Sequence, residues 1–267
     1  MKNGILILVG VAALAAVAPA AAFTGSDLRM EETPINRLDA ESLQRGARTF
    51  VNYCLNCHSA KYMRYNRLTD IGIDIPMIED NLMFATKKVG ETMTVAMTTA
   101  DAKAWFGVPP PDLTVESRVR GADWLYNYFL AFYRDDASVT GWNNLVLPNV
   151  AMPHVLWQQS GVNRLVTQEF KSHDQAQAAA LGAKGIVLLA PGKDETFIVK
   201  TLTTETPGTL SPTEYRTMVG DLVNYLDYMA EPAKNERIRL GLVVLLYLAV
   251  LLFFTYWLKR EYWKDVH

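Results

Sequence analysis

The chain has two cysteines, Cys54 and Cys57, and His58 follows the second directly. With no other cysteine to pair with, this is not a disulfide framework. Positions i, i+3 and i+4 share one helix face. Such a face presents two thiols and an imidazole to a single planar group, which is the reason for the C-x-x-C-H pattern of c-type haem attachment. Cys54 and Cys57 would form thioethers to the vinyl groups, and His58 would turn its ring to the iron. A thioredoxin-like pair needs a βαβ setting, whereas Leu43, Ala47, Phe50 and Val51 form a helical apolar stripe leading into the motif. A structural zinc site wants four ligands, typically from a second cysteine pair. The expectation is one covalent haem c.

Two segments stand outside the folded domain. Residues 1–22 read as a secretory signal: Lys2, an apolar run over 5–17, then Ala20-Ala21-Ala22 before Phe23. Residues 240–258 are nineteen positions without a charge. At about 1.5 Å per residue they nearly match a hydrocarbon core of about 30 Å. Arg239 and Lys259 bracket this run, and Tyr256, Trp257, Tyr262 and Trp263 sit where an interfacial aromatic belt belongs. Three basic residues on each side leave orientation open by charge. The export signal decides it: residues 23–235 lie in the periplasm, and the tail, 259–267, stays in the cytoplasm of a bacterium whose inner membrane holds the span.

The formal charge of −2 hides a partition. Setting aside +1 at Lys2, +2 over 234–239 and +1 over 259–267 leaves the domain at −6. An acidic domain argues against nucleic acid and permits steering toward a basic partner, although on charge alone ordinary solubility is the leading explanation.

A second axial ligand is harder to read. His58, His154, His173 and His267 are the four histidines, and Met1 leaves with the signal. Met63 is too near His58 in sequence to cross to the opposite haem face easily. Met152 lies in an apolar segment framed by Pro148 and Pro153, which restrict the backbone. His154, Met93 and Met97 are the alternatives, and core packing is the ordinary role of a methionine.

At this point the chain resembles the cytochrome c1 family, the haem subunits of quinol–cytochrome c oxidoreductases. Four places carry the resemblance: Arg45-Gly46 through the C-x-x-C-H to Ser59, with Tyr62 and Arg67-Leu68; Pro110-Pro111-Asp112-Leu113-Thr114, with Arg118 and Arg120; Ala151-Met152-Pro153; and Ala230-Glu231-Pro232 before the last apolar run. The resemblance implies that Met152 is the axial ligand and that Arg120 lies near a haem propionate. A carbonyl of Pro110 or Pro111 would take the Nδ1 proton of His58 and orient the ring. Asp112 reads as an exposed turn carboxylate, with holding this loop as the alternative. The implied partners are cytochrome b, a Rieske iron–sulfur protein as donor and a cytochrome c as acceptor. Residues 69–108 match nothing recognisable.

The expected fold is mainly α: a class I cytochrome c-like haem domain with a small β-hairpin insertion, plus one C-terminal transmembrane helix. Residues 39–58 predict a helix ending at the haem, and 123–134 a core helix bearing Trp124, Tyr128 and Phe132. Residues 186–190 and 196–202 predict a hairpin. Ser211-Pro212-Thr213-Glu214 is a capping box opening a helix with an apolar stripe from Tyr215 to Met229. That helix should pack on the first one, with Gly46 permitting close approach. His58 and Met152 together would saturate the iron, which favours electron relay over a haem peroxidase using His154 as its acid–base group. It also favours relay over a haem-based sensor, for which the short tail leaves little room. A cytochrome subunit of some other respiratory complex is the remaining alternative.

Overall fold

The computed structural model describes residues 27–193 and 195–264. The expected signal, Asp194 of the expected turn and His267 lie outside the described residues. Strand β1 (Asp27–Arg29) leads to helix α1 (Ala40–Thr49), then to β2 (Ala60–Arg64), α2 (Ile75–Asn81), β3 (Thr92–Met93) and α3 (Thr99–Phe106). Helices α4 (Glu116–Arg120) and α5 (Ala122–Leu130) follow, then strands β4 (Phe132–Arg134) and β5 (Trp142–Asn144). Next come α6 (Trp157–Ser160), β6 (Gly161–Phe170), α7 (His173–Gly182), β7 (Val187–Pro191) and β8 (Phe197–Pro207). The chain closes with α8 (Pro212–Ala230) and α9 (Lys234–Tyr262). About 48% of the described residues are helical.

Helix α1 starts because the Asp39 carboxylate accepts from Ser42 N, filling an otherwise orphaned donor. It does not run unbroken to His58. After Thr49 the coil widens into a π turn over Phe50–Cys54, with Leu55 N bonded five residues back to Phe50 O at 3.0 Å. Such turns rotate the succeeding residues relative to a regular helix. Here Cys57 N (3.1 Å) and His58 N (2.9 Å) both bond to Cys54 O, curling the motif around its first cysteine.

Helix α8 has the expected capping box, with Ser211 and Glu214 reciprocally bonded and Pro212 in the first turn. Its buried face includes Tyr215, Val219, Leu222, Tyr225, Leu226 and Met229, with Met218 half-buried beside them. This face crosses α1 at Gly46. A Cβ there would stand 2.1 Å from Asp221 O and 2.7 Å from the Tyr225 Cβ. Arg45 seals the crossing with a 2.6 Å ion pair to Asp221.

The helix expected over 123–134 stops at Leu130. Phe132–Arg134 instead pairs antiparallel with Trp142–Asn144. Asn144 Nδ2 caps Tyr128 O at 2.7 Å, and Leu145 N takes Ala131 O at 3.1 Å, so the helix end is satisfied by residues far along the chain. The β-rich runs are antiparallel neighbours joined through Gly192 N to Thr196 O at 2.8 Å, but they belong to a larger sheet of order β1-β7-β8-β6. Helix α7 covers one face through Ala176, and Ala131 and Leu145 cover the other near Ile186.

Residues 31–37 form a strap that sequence periodicity did not reveal. Glu31 N bonds Asn127 Oδ1 at 2.8 Å, Thr33 N bonds Asp123 Oδ1 at 2.8 Å, and Asn36 N bonds Asn224 Oδ1 at 3.2 Å. Arg37 closes on Asp227 at 2.5 Å, and Ser117 donates to the same carboxylate at 3.0 Å. The strap thereby ties α4, α5 and α8 together.

Helix α9 has 29 residues, is exposed along nearly its whole length and is long and apolar enough to cross a membrane. It extends beyond 240–258 at both ends and reaches about 44 Å at the usual rise.

Gly46→Ala should lower the thermal midpoint by the equivalent of about 1–3 kcal/mol, the usual cost of overpacking. Gly90→Ala, where a Cβ meets nothing within 4 Å, serves as the control in the same melt. A second expectation concerns acid. Desolvation opposes the Asp227 carboxylate, but Arg37, Ser117 and Lys234 outweigh it and hold its pKa below the ordinary 3.8. Its contribution is therefore present above that ordinary value and is lost as pH falls through the depressed one. Asp227→Asn should lower the melting temperature at pH 7 and flatten its decline on acidification.

Candidate functional site

An apolar cavity of about 340 Å³ opens in the core. Tyr53, Cys54, Cys57 and His58 form the wall supplied by the π turn. Pro109, Pro110 and Pro111 form a second, Glu116, Arg120, Trp124 and Tyr128 a third, and Val150 to Pro153 a fourth. The sequence-predicted site residues Cys54, Cys57, His58, Pro111, Arg120 and Met152 all border this one space.

His58 is buried, and its Nδ1 lies 2.8 Å from Pro111 O. A carbonyl only accepts, so Nδ1 carries the proton and Nε2 keeps its lone pair. Burial lowers the ring's pKa, with the Pro111 bond opposing it, which favours the neutral imidazole a metal requires. The Pro111 loop is itself held. Asp112 accepts from Lys61 N at 2.9 Å and from Thr114 N at 3.0 Å, and Leu113 N bonds Ser59 O at 2.9 Å. Asp112 is thus a brace between the loop and the strand after the motif, not an idle turn carboxylate.

Desolvation pushes the Cys54 thiol up to about 12, with Cys57 adding to the shift, and burial raises Cys57 as well. Reactive redox cysteines sit in the opposite environment, one that favours thiolate. Among the described residues no three His, Cys, Asp or Glu side chains converge in a metal-holding group, so a zinc site lacks the remaining ligands. Two neutral thiols on an apolar wall, beside an imidazole with a free lone pair, fit a large flat hydrophobic group that is anchored covalently.

Met152 is half-buried, and its sulfur accepts from the Tyr128 hydroxyl at 3.3 Å. Of the alternative ligands, Met93 is fully buried with its sulfur 3.9 Å from the Tyr225 hydroxyl. His154 stacks flat on Phe132 at 4.6 Å and shares a 2.7 Å hydrogen bond with Ser160 Oγ. Burial pushes its pKa down to about 3. Met93, Met97 and His154 are not among the cavity's lining residues.

Arg120 borders the cavity, whereas Arg118 does not. The Arg120 guanidinium pairs with Glu116 at 2.5 Å and sits 4.2 Å from the centroid of the Trp124 ring. Glu116, and the cavity-facing role of Trp124 and Tyr128, were not recognised in the sequence. Part of the signal was there: 116 and 120, and 124 and 128, are each four residues apart, the spacing of one helix face, but Gly121, at φ +90°, separates α4 from α5 between the two pairs.

Comparison with known proteins yields one family model and several relatives. The family model described as "Cytochrome C1 family" matches residues 30–104 and 203–266, which together make up just over half of the chain. A curated cytochrome c1 of Allochromatium vinosum is 44% identical over 245 residues, covering 91% of this chain and 92% of the relative. A protein named ammonia monooxygenase gamma subunit, from Nitrosomonas europaea, is 43% identical over 244 residues, with the same coverage. A cytochrome c1 of Rhodospirillum rubrum is 27% identical over 255 residues, 86% of this chain and 84% of the relative. Residues 105–202, which carry Pro111, Arg120 and Met152, fall between the two blocks of the family model but within the extent of these relatives. On these matches the chain belongs to the cytochrome c1 family.

Proposed function

We propose that this chain is a membrane-anchored c-type cytochrome that passes single electrons from a Rieske iron–sulfur protein to a cytochrome c within a quinol–cytochrome c oxidoreductase. Membership of the cytochrome c1 family implies a c-type haem and electron transfer in a bc1 complex, with cytochrome b and a Rieske protein as partners. The observation that carries the finer reading is that the His58 imidazole and the Met152 thioether border the same apolar cavity as both cysteines.

When bound, the haem supplies reversible one-electron chemistry at iron. Cys54 and Cys57 Sγ would hold it through thioethers, His58 Nε2 and Met152 Sδ would be the iron ligands, and Arg120 would serve a propionate. The Pro111 carbonyl fixes the His58 tautomer and ring orientation. The surrounding apolar walls would keep water from the bound group. A ligand set of imidazole and thioether leaves no open position for substrate, and a thioether favours ferrous iron and a high potential. The arrangement of α1, the motif at its end and α8 crossing at Gly46 supports a class I cytochrome c-like core.

Helix α9 supports anchoring in the bacterial inner membrane; residues 23–235 in the periplasm and the tail in the cytoplasm follow from the export signal read in the sequence. The acidic domain would steer a basic acceptor. The name of the Nitrosomonas relative suggests a second reading, an oxygenase subunit, which would need a vacant or displaceable position at the metal.

Optical spectra separate these readings. The ferric wild type should show a methionine–iron charge-transfer band and bind no carbon monoxide when reduced. Met152→Ala should lose the band and gain carbon monoxide binding while keeping its haem on a denaturing gel. The double variant Cys54→Ala with Cys57→Ala should lose haem on that gel. Persistence of the band without Met152 would exclude it as ligand. Extraction in mild detergent should bring down a b-type cytochrome and quinol-dependent cytochrome c reduction; recovery of the chain without either would exclude the proposed complex.

A further inference from the structure

The cavity wall from Glu116 to Tyr128 is a ladder. Glu116 pairs with Arg120, Arg120 lies over Trp124, Trp124 stacks on Tyr128 with centroids 5.0 Å apart and 12° between planes, and Tyr128 reaches the Met152 sulfur at 3.3 Å. The last contact has the features of a fixed donor meeting a flexible acceptor. Tyr128 is 7% exposed, and Met152 Sδ is the acceptor of its hydroxyl among the described residues. Trp124 lies against the flat of its ring, and Phe132 meets it edge to face at 5.0 Å. Its own carbonyl is tied to Asn144 Nδ2. A methionine side chain, with three rotatable bonds, has no comparable rigidity.

We infer that Tyr128 is a positioning residue for the Met152 thioether, holding one sulfur lone pair by a hydrogen bond so that the other is presented to iron as a weakened donor. The inference rests on the reading of Met152 as an iron ligand given above. A thioether sulfur has two lone pairs. A proton shared with one draws electron density from the sulfur, and the loss matters more to ferric iron, the more electron-poor state. The Tyr128 hydroxyl therefore favours the reduced form and raises the reduction potential. Removing it lowers the potential without removing the ligand. A ring present only for packing would leave the potential where it is when the oxygen alone is deleted.

The test uses full-length, haem-loaded protein in detergent, titrated optically. Tyr128→Phe keeps the stacked ring and deletes the donor. Losing one neutral hydrogen bond should raise the ferric-to-ferrous ratio at fixed ambient potential roughly two- to tenfold. At about 59 mV per tenfold for one electron, the midpoint falls by about 20–60 mV. The charge-transfer band is retained. Tyr215→Phe deletes another buried hydroxyl, bonded at 2.9 Å to Phe129 O on the same helix as Tyr128, and should leave the midpoint unchanged. An unchanged midpoint in Tyr128→Phe with the band present overturns the inference alone, as does an equal shift in Tyr215→Phe. A wild type without the band overturns the ligand reading and this inference with it. Should Tyr128→Phe yield no haem protein, the wild type itself decides: exchange into deuterium oxide should shift the iron–sulfur stretch in resonance Raman spectra, and no shift overturns the inference.

Discussion

Helices α1 and α8 meet with no side chain between them at Gly46, and the rest of the domain is arranged around that crossing. A residue with any Cβ would collide with the α8 backbone at Asp221. Because the two axes are held this close, α1 arrives at Phe50 already pressed into the core, and the π turn at its end presents Cys54 to the cavity floor instead of to solvent. The opposite helix contributes Leu226 to the same cavity. One missing methyl group thus sets where the cysteines, the imidazole and the far wall stand relative to each other.

From this anchor the site is built by restraints of decreasing generality. Close packing fixes α1 and α8. Hydrogen bonds to backbone fix the loops, most tightly around Pro111, whose carbonyl orients His58 while Asp112 holds its successor to Lys61 and Thr114. Proline at 111 leaves the carbonyl free and contributes no amide of its own to satisfy. The outer wall is set by stacking and ion pairing between Glu116, Arg120 and Trp124. Arg120 is therefore not a loose cation waiting for an anion; it is held in orientation by a carboxylate and an indole. A structure held this way suits a metal whose oxidation state changes while its surroundings stay still.

The features legible in the sequence were those written in neighbouring residues. C-x-x-C-H and the Ser211 capping box each depend on chemistry within one or two helical turns, and the apolar span 240–258 on one unbroken run. What escaped was determined by partners far along the chain. Phe132 continues the spacing of Trp124 and Tyr128, yet it leaves the helix because Asn144 caps Tyr128 and Trp142–Asn144 offers a strand to pair with. The strap over 31–37 has no periodicity at all; its amides are met by Asn127, Asp123 and Asn224 from two distant helices. The hairpin was visible by its β-rich runs, but its membership in a four-stranded sheet rests on β1 and β6, which no local pattern joins to it. Of the cavity lining, Cys54, Cys57, His58, Pro111, Arg120 and Met152 were singled out from the sequence. The places of Glu116, Trp124 and Tyr128 required knowing which faces of two successive helices, α4 and α5, looked inward.

The junction between α8 and α9 is short. Only Glu231, Pro232 and Ala233 separate the two helices, and hydrogen bonds from Glu231 N to Tyr228 O and from Lys234 N to Glu231 O run through the corner. Arg237 reaches back to the Glu231 carboxylate, and Arg37 holds the Glu231 carbonyl. A corner tied on both sides in this way resists bending at the place where the buried helix gives way to the exposed apolar one.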